Sequence, residues 1–183
     1  MMQSMKSVAG LVVLAAVAGL VTLYSGVIDV GASNPHSTPV RWLLHTAMQR
    51  SVAFHAGDIK VPQLDKPQMV MMGFRHYREM CVGCHLAPGM RNSEIRQGLM
   101  PRPPVLQKAV PHLTPAELFW VVKHGVKMTG MPAWGATHSD DKIWAIVAFL
   151  EQLPKMTPAG YQQMDRKAGP GDGDEDEAHD HTH

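Results

Sequence analysis

Five consecutive residues, Cys81-Val82-Gly83-Cys84-His85, combine two thiols and an imidazole at a spacing that can do chemistry. This Cys-x-x-Cys-His arrangement is the attachment signature of c-type haem. Two thiols three positions apart at a helix end can each bond to one of two neighbouring vinyl groups of a single porphyrin, while the adjacent imidazole is directed at the iron. The motif therefore predicts one covalently bound haem c, with Cys81, Cys84 and His85 as its binding residues.

Two other chemistries use paired cysteines. A redox-active or structural Cys-x-x-Cys disulfide does not need the histidine that follows the pair. A zinc site of the common type needs four ligands, and the chain has only two cysteines, so a second thiolate pair is missing. We therefore favour haem attachment and keep the disulfide and the zinc half-site as alternatives.

A haem iron held by one histidine usually takes a second axial ligand. Residues 127–134 form a predicted loop between two helices, in which glycine lets the backbone approach closely and proline restricts it. A thioether in this loop could close over the distal face of the haem, which makes Met131 the favoured ligand and Met128 the next. Most of the 14 methionines are expected to fill the core instead. The other candidates are Met90, Met100, His112, His124 and His138.

Three helical patterns would position these groups. The first leads directly into the cysteine pair. The second begins with a predicted capping box of Thr114 and Glu117 and ends at a glycine. The third runs from about Ser139 to Leu153 and is stopped by a proline. Since no strand pattern of period two is found, we predict an all-α domain.

The start of the chain contains an uncharged run, residues 8–28, preceded by Lys6. This run is long enough to cross a bilayer, whereas the apolar part of a cleavable signal peptide has about 7–15 residues. We expect an uncleaved transmembrane anchor, with a cleaved signal peptide as the alternative. Because positive flanks stay inside, the rest of the chain should lie on the periplasmic side of a bacterial inner membrane, as a single-pass protein.

The remaining sequence divides by composition. A short helix from Thr38-Pro39 to about Gly57 is possible within the segment that follows the anchor. The last segment is polar and acidic, is expected to be disordered, and contains His179, His181 and His183, which could hold Cu²⁺ or Zn²⁺ loosely. The predicted boundaries are 1–31 for the anchor, 32–67 for the linker, 68–154 for the compact domain and 155–183 for the tail.

Several short segments follow one another in an order typical of one family of electron-transfer domains. They are Gly73-x-x-x-Tyr77, the Cys-x-x-Cys-His motif, Pro101-Arg102-Pro103-Pro104, Gly130-Met131-Pro132-Ala133-Trp134 and Ile143-Trp144-Ala145-Ile146-Val147-Ala148-Phe149-Leu150. On these residues, about half of the chain resembles a class I cytochrome c, of the membrane-anchored bacterial monohaem type.

The resemblance implies a small class I cytochrome c-type helical domain around one covalent haem. It implies thioether bonds from Cys81 and Cys84, His85 as the proximal iron ligand and Met131 as the distal one. In this family a proline carbonyl accepts the proximal imidazole proton. The candidates for that role are Pro88, Pro101, Pro103 and Pro104.

The same resemblance implies a close crossing of two helices. The helix that carries Gly73 is expected to pack against the last helix of the domain, near Phe149.

His–Met ligation leaves no open iron site for a substrate and raises the reduction potential relative to bis-histidine ligation. The predicted function is therefore electron transfer by a membrane-tethered carrier that is not an enzyme and has no small-molecule substrate. One alternative is the cytochrome subunit of a membrane-bound oxidoreductase. Others are a haem-based sensor or peroxidase with a displaceable distal methionine, and a metal-handling protein.

Charge patterning bears on partners. A formal net charge of +1 makes a nucleic-acid binder unexpected, because phosphate neutralisation needs concentrated basic charge. The acids are concentrated in the tail, so residues 1–167 carry +7. Six cations predicted near the haem rim would steer an acidic redox protein, and one of them, Arg102, could pair with a haem propionate. The six are Arg91, Arg96, Arg102, Lys108, Lys123 and Lys127.

Overall fold

The computed structural model describes residues 2–170. The three tail histidines, for which loose metal binding was an alternative to a solvated polar tail, and the acidic run around them lie outside the described residues. Within residues 2–170 the chain forms helices and no strand, which confirms the all-α prediction. The described residues divide into two compact units, with the boundary between Asn34 and Pro35.

The first unit contains helix α1, Met2–Tyr24. Its part Ser7–Tyr24 has a mean hydropathy of 2.2 and no charged residue, so it is long and apolar enough to cross a membrane. These are criteria of length and composition, and a signal sequence near the start of a chain meets them as well.

The second unit is built from helices of very different length. They are α2 Thr38–Ala56, α3 Pro67–His76, α4 Val82–His85, α5 Glu94–Gly98, α6 Leu106–Ala109, α7 Pro115–His124, α8 Asp140–Gln152 and α9 Pro158–Ala168. A π-helical turn, Tyr77–Cys81, joins α3 to α4, and 3₁₀ turns lie at Val110–His112, Trp134–Ala136 and Leu153–Lys155.

The crossing of α3 and α8 forms the centre of this unit. At the crossing the two backbones touch, because a Cβ added to Gly73 would overlap the backbone carbonyl of Ala145. The ring of Phe149 packs there against Phe74 and Tyr77, with ring centroids 5.4 and 5.0 Å apart. All three aromatic side chains are fully buried. The close helix contact near Phe149 is thus as expected.

The ends of α7 and α8 follow the capping signals in the sequence. Thr114 Oγ1 accepts a hydrogen bond from the Glu117 amide at 3.2 Å, and the Glu117 carboxylate accepts one from the Thr114 amide at 2.8 Å, so the predicted capping box forms. Ser139 caps α8 by accepting a hydrogen bond from the Lys142 amide at 3.4 Å.

Helix α2 belongs to the second unit and packs against α7. Val52 and Ala56 are buried on its packed side, and the rings of His55 and Trp120 lie 5.4 Å apart. The predicted short helix is therefore present. The second half of the segment expected to be a linker therefore belongs to the folded domain.

Helix α9 corrects the prediction that the chain is disordered after residue 154. Thr157 caps α9 by accepting a hydrogen bond from the Gly160 amide at 3.0 Å. Tyr161 packs on Phe74 with ring centroids 5.1 Å apart, and Ala168 is buried. Few apolar side chains anchor this helix, so its average polarity concealed it in the sequence.

A polar contact also ties α9 to the π-helical turn. Arg78 donates hydrogen bonds to Asp165 at 3.0 Å and to the Gly169 carbonyl at 2.8 Å. The folded domain therefore extends past the predicted boundary at residue 154.

Candidate haem site

The two cysteines and the histidine lie where a π-helical turn changes into a short α-helix. Cys81 ends the π turn, and Cys84 and His85 lie in the single turn of α4. Both thiols are free. Leu86, with φ of +66°, ends the helix, and its carbonyl accepts a 2.6 Å hydrogen bond from the buried hydroxyl of Tyr77. A π turn is rare and frequently marks a functional site.

The imidazole of His85 is oriented by a backbone carbonyl. Nδ1 lies 2.9 Å from the carbonyl oxygen of Pro104, so the tautomer that donates from Nδ1 leaves Nε2 as an acceptor. Burial lowers the pKa of His85; the hydrogen bond to Pro104 opposes this shift, and the charge of Arg96 adds to it. The ring is therefore held neutral with one nitrogen available, the form in which histidine binds a metal.

Helix α5 holds the loop that supplies this carbonyl. Arg96 Nε donates to the Pro103 carbonyl at 3.1 Å. Ser93 Oγ donates to the Gly83 carbonyl at 2.5 Å and accepts from the Arg96 amide at 3.2 Å. The cysteine motif and the proline loop are thus linked through Ser93 and Arg96. Ser93 was not among the predicted site residues, although a serine before a glutamate is a usual helix start.

The loop that contains Met131 is closed by three hydrogen bonds. The Val126 amide donates to the Met131 carbonyl at 3.2 Å. The Met131 amide donates to Thr129 Oγ1 at 3.1 Å, and that hydroxyl donates to the Val126 carbonyl at 2.7 Å. Met131 is half-buried and packs against the core. Met128, the second candidate, has φ of +60° and is 97% exposed.

Glycine is required at the start of this loop. Gly125 has φ of +63°, and a Cβ there would lie 2.6 Å from the Met131 carbonyl oxygen. A Cβ on Gly130 would meet the side chain of Leu99 at 2.6 Å. Both contacts let the methionine loop lie close to its neighbours.

The other ligand candidates have different surroundings. Met90 is 43% exposed, and its sulfur accepts a hydrogen bond from the Ala87 amide at 3.4 Å. His112 and His124 are exposed. His138 packs edge-on against His76, with ring centroids 5.3 Å apart. Met100, half-buried, precedes the proline loop.

The donor set fits a porphyrin-bound iron and does not fit a metal held by side chains alone. Within residues 2–170, no group of three or more His, Cys, Asp or Glu side chains could hold a metal ion. Burial, with a smaller contribution from Cys84, raises the pKa of the Cys81 thiol to about 12. A redox-active thiol would instead need a stabilised thiolate.

The six cations predicted around the haem differ in what they contact. Arg96 is bound to the proline loop, as described above. Lys123 Nζ pairs with Asp140 at 2.6 Å and lies 5.4 Å from the centre of the Phe119 ring. Arg102 is exposed and directly precedes the proline pair that contains the Pro104 carbonyl. The remaining exposed cations are Arg91, Lys108 and Lys127.

Comparison with known families identifies the type of domain that contains these residues. Residues 68–150 match the family model described as cytochrome C oxidase, cbb3-type, subunit III. The matched segment begins in α3, includes the cysteine motif, the proline loop and the methionine loop, and ends within α8. No curated protein matches the chain.

Proposed function

Because residues 68–150 form a domain of the cytochrome c family, which binds haem c covalently and transfers electrons, we propose that this protein is a membrane-tethered carrier of single electrons. The haem iron supplies the one-electron redox chemistry when the group is bound. The protein has to attach, orient and shield it.

Attachment is assigned to Cys81 and Cys84. Each S–H adds across one vinyl group, so no further reactant is consumed. His85 is assigned as the proximal ligand through Nε2. The observation that carries the proposal is the 2.9 Å contact from His85 Nδ1 to the Pro104 carbonyl oxygen, because it fixes the ring and leaves the other nitrogen for iron.

Met131 is assigned as the distal ligand. Its loop is closed by its own hydrogen bonds and its side chain is half-buried, whereas Met128 in the same loop points into solvent. A second strong axial ligand leaves no position for a substrate, which favours a carrier over an enzyme. Arg102, exposed beside the proline loop, is assigned to a haem propionate.

We assign the membrane tether to helix α1, and the type of redox partner from the exposed positive charges of the haem domain. The part Ser7–Tyr24 of α1 is long and apolar enough to serve as a single-pass anchor, and Lys6 would keep the start of α1 in the cytoplasm, with the haem domain in the periplasm. Arg91, Lys108 and Lys127 are exposed and would favour an acidic redox protein, through weak and salt-sensitive encounters.

The test uses the detergent-solubilised protein, expressed with c-type haem maturation, as wild type, Met131→Ala and the matched control Met128→Ala. A haem stain on a denaturing gel should be positive for all three. Reduced-minus-oxidised spectra should show six-coordinate iron in the wild type and the control, and five-coordinate iron in Met131→Ala. An unchanged spectrum in Met131→Ala would reject the distal assignment, and absence of stained protein would reject haem attachment.

A second candidate function is favoured by the description of the matching family. That description names a subunit of an oxidase, and this chain could equally be the cytochrome subunit of a membrane-bound oxidoreductase. Stable co-purification with a larger redox subunit from native membranes would support it. Rapid carbon monoxide binding by the untreated wild type would instead favour a sensor or peroxidase with a displaceable methionine.

A further inference from the structure

Helix α2 has an apolar face that the other described residues of the chain leave exposed. Successive residues of an α-helix are about 100° apart, so Val52 and Ala56, buried against α7, define one side. Five apolar residues fall within an arc of about 100° on roughly the opposite side. They are Val40, Leu43, Leu44, Ala47 and Phe54, all exposed.

Four of these five residues have large side chains, and all five are exposed. Phe54 is 81% exposed, and Leu43 and Leu44 are 59% and 52% exposed. Single exposed apolar residues are ordinary, but a stripe along one helix face marks an interaction surface. Helix α2 therefore contacts α7 on one side and leaves this apolar stripe exposed on the other.

The charges on α2 point to a lipid surface. Residues 38–56 include Arg41 and Arg50 and no acidic residue, so the helix is attracted to anionic headgroups. Two copies of this helix face to face would instead bring like charges together.

The connection to α1 places this helix near the anchor. Thirteen residues, 25–37, separate the end of α1 at Tyr24 from the start of α2 at Thr38. A flexible segment of that length has an end-to-end distance of about 20 Å, and fully extended it reaches about 45 Å. If α1 crosses the membrane, the start of α2 can lie at most about 45 Å from the end of α1.

We propose that α2 lies in the headgroup region of the membrane that α1 crosses, with the stripe of Val40, Leu43, Leu44, Ala47 and Phe54 towards the acyl chains. This inference rests on the proposed tether. It gives the haem domain one preferred orientation on the bilayer, because α7 packs on the opposite side of α2. The carrier then presents a defined side to membrane-bound partners.

The test is made on the full, haem-loaded chain in vesicles of phosphatidylcholine and phosphatidylglycerol, with the iron reduced. Because the haem occupies both native cysteines, a single introduced cysteine can be spin-labelled. Labels are placed at Leu43→Cys and Phe54→Cys on the stripe, and at Gln162→Cys on the exposed side of α9 as the aqueous control. The readout is the accessibility of each label to oxygen relative to a water-soluble nickel chelate.

We expect this ratio to be several-fold higher at positions 43 and 54 than at position 162. Adding Leu44→Glu to the Phe54→Cys chain should lower the ratio, whereas Gln49→Glu, which adds the same charge to an exposed position outside the stripe, should not. Equal ratios at all three label positions would overturn the inference, and so would spin–spin broadening at position 54, which indicates a second copy.

Flotation of the vesicles separates this inference from the tether. Protein that floats with the vesicles but shows aqueous ratios at positions 43 and 54 retains the anchor and rejects the role of α2. Protein that does not float rejects the tether, and the inference falls with it.

Discussion

Two buried tyrosine hydroxyls in the haem domain differ in hydrogen bonding. The Tyr77 hydroxyl donates to the Leu86 carbonyl at 2.6 Å, while the Tyr161 hydroxyl is buried and makes no hydrogen bond to the described residues. Removing one partner of a buried hydrogen bond costs about 1–3 kcal/mol, whereas removing an unsatisfied group costs little. Tyr77→Phe should therefore lower the free energy of unfolding by that amount, and Tyr161→Phe should leave it unchanged or raise it.

Urea unfolding of the two haem-loaded variants, followed by far-UV circular dichroism, measures this difference. Equal losses in both variants would show that the Tyr77 hydroxyl has no special role in holding the end of the cysteine motif.

The pair of His76 and His138 should make stability depend on pH. Burial lowers the pKa of His76, and the positive charges of His138 and Lys142 lower it further, against Glu79. Burial and Lys142 likewise lower the pKa of His138, against a hydrogen bond to the Trp134 backbone. Histidine in the unfolded chain titrates near pH 6.5, so below that pH the unfolded state binds more protons. The folded state therefore loses stability as the pH falls from about 6.5 through the lowered pKa values.

His76→Gln should reduce the loss of unfolding free energy between pH 7 and pH 5, as measured by urea titration at each pH. The exposed His112, changed to Gln, is the matched control. A pH dependence that is the same in wild type and His76→Gln would contradict this assignment.

At the scale of elements, the crossing of α3 and α8 depends on one missing side chain. Gly73→Ala would drive a methyl group into the Ala145 carbonyl, a backbone group that cannot rotate away. Overpacking usually costs about 1–3 kcal/mol, and we expect a loss of about 3 kcal/mol or more here. Gly98→Ala, at the end of α5 with no atom within 4 Å of the added Cβ, should be close to neutral. Thermal unfolding of both variants tests the contrast.

The elements that could be predicted from sequence are those whose ends carry their own signals. Local hydrogen bonds start two of these helices: Thr114 with Glu117 starts α7, and Ser139 starts α8. The positions of these helix starts therefore do not depend on the rest of the fold. Helix α9 depends on contacts of Tyr161 and Asp165 with residues 87 positions earlier in the chain, which no local pattern reveals.

The same distinction applies to the site. The cysteine motif is a local signature, but the acceptor for the His85 imidazole is a backbone carbonyl, and four prolines could have supplied it. In the structure the acceptor is the Pro104 carbonyl, and the hydrogen bond from Arg96 to the neighbouring Pro103 carbonyl holds the loop in place.

For the whole molecule, the uneven distribution of charge should set encounter rates. Deleting residues 171–183 removes six acids and no Lys or Arg, which raises the formal net charge from +1 to +7. The deletion begins after Pro170 so that the buried Ala168 stays in place. Oxidation by the anion ferricyanide, followed by stopped-flow absorbance, should become several-fold faster at low ionic strength and unchanged at high ionic strength. Identical rates at low ionic strength would show that the tail does not act on the haem side electrostatically.

The packing of α2 on α7 has a practical consequence for truncation. A soluble form cut at residue 68, where the family match begins, would lose Val52 and Ala56 and uncover the part of α7 that they cover. A cut at Pro35, at the boundary between the two compact units, would keep that surface covered. The segment that matches the family model, residues 68–150, is therefore shorter than the segment that this protein needs to cover its buried apolar residues.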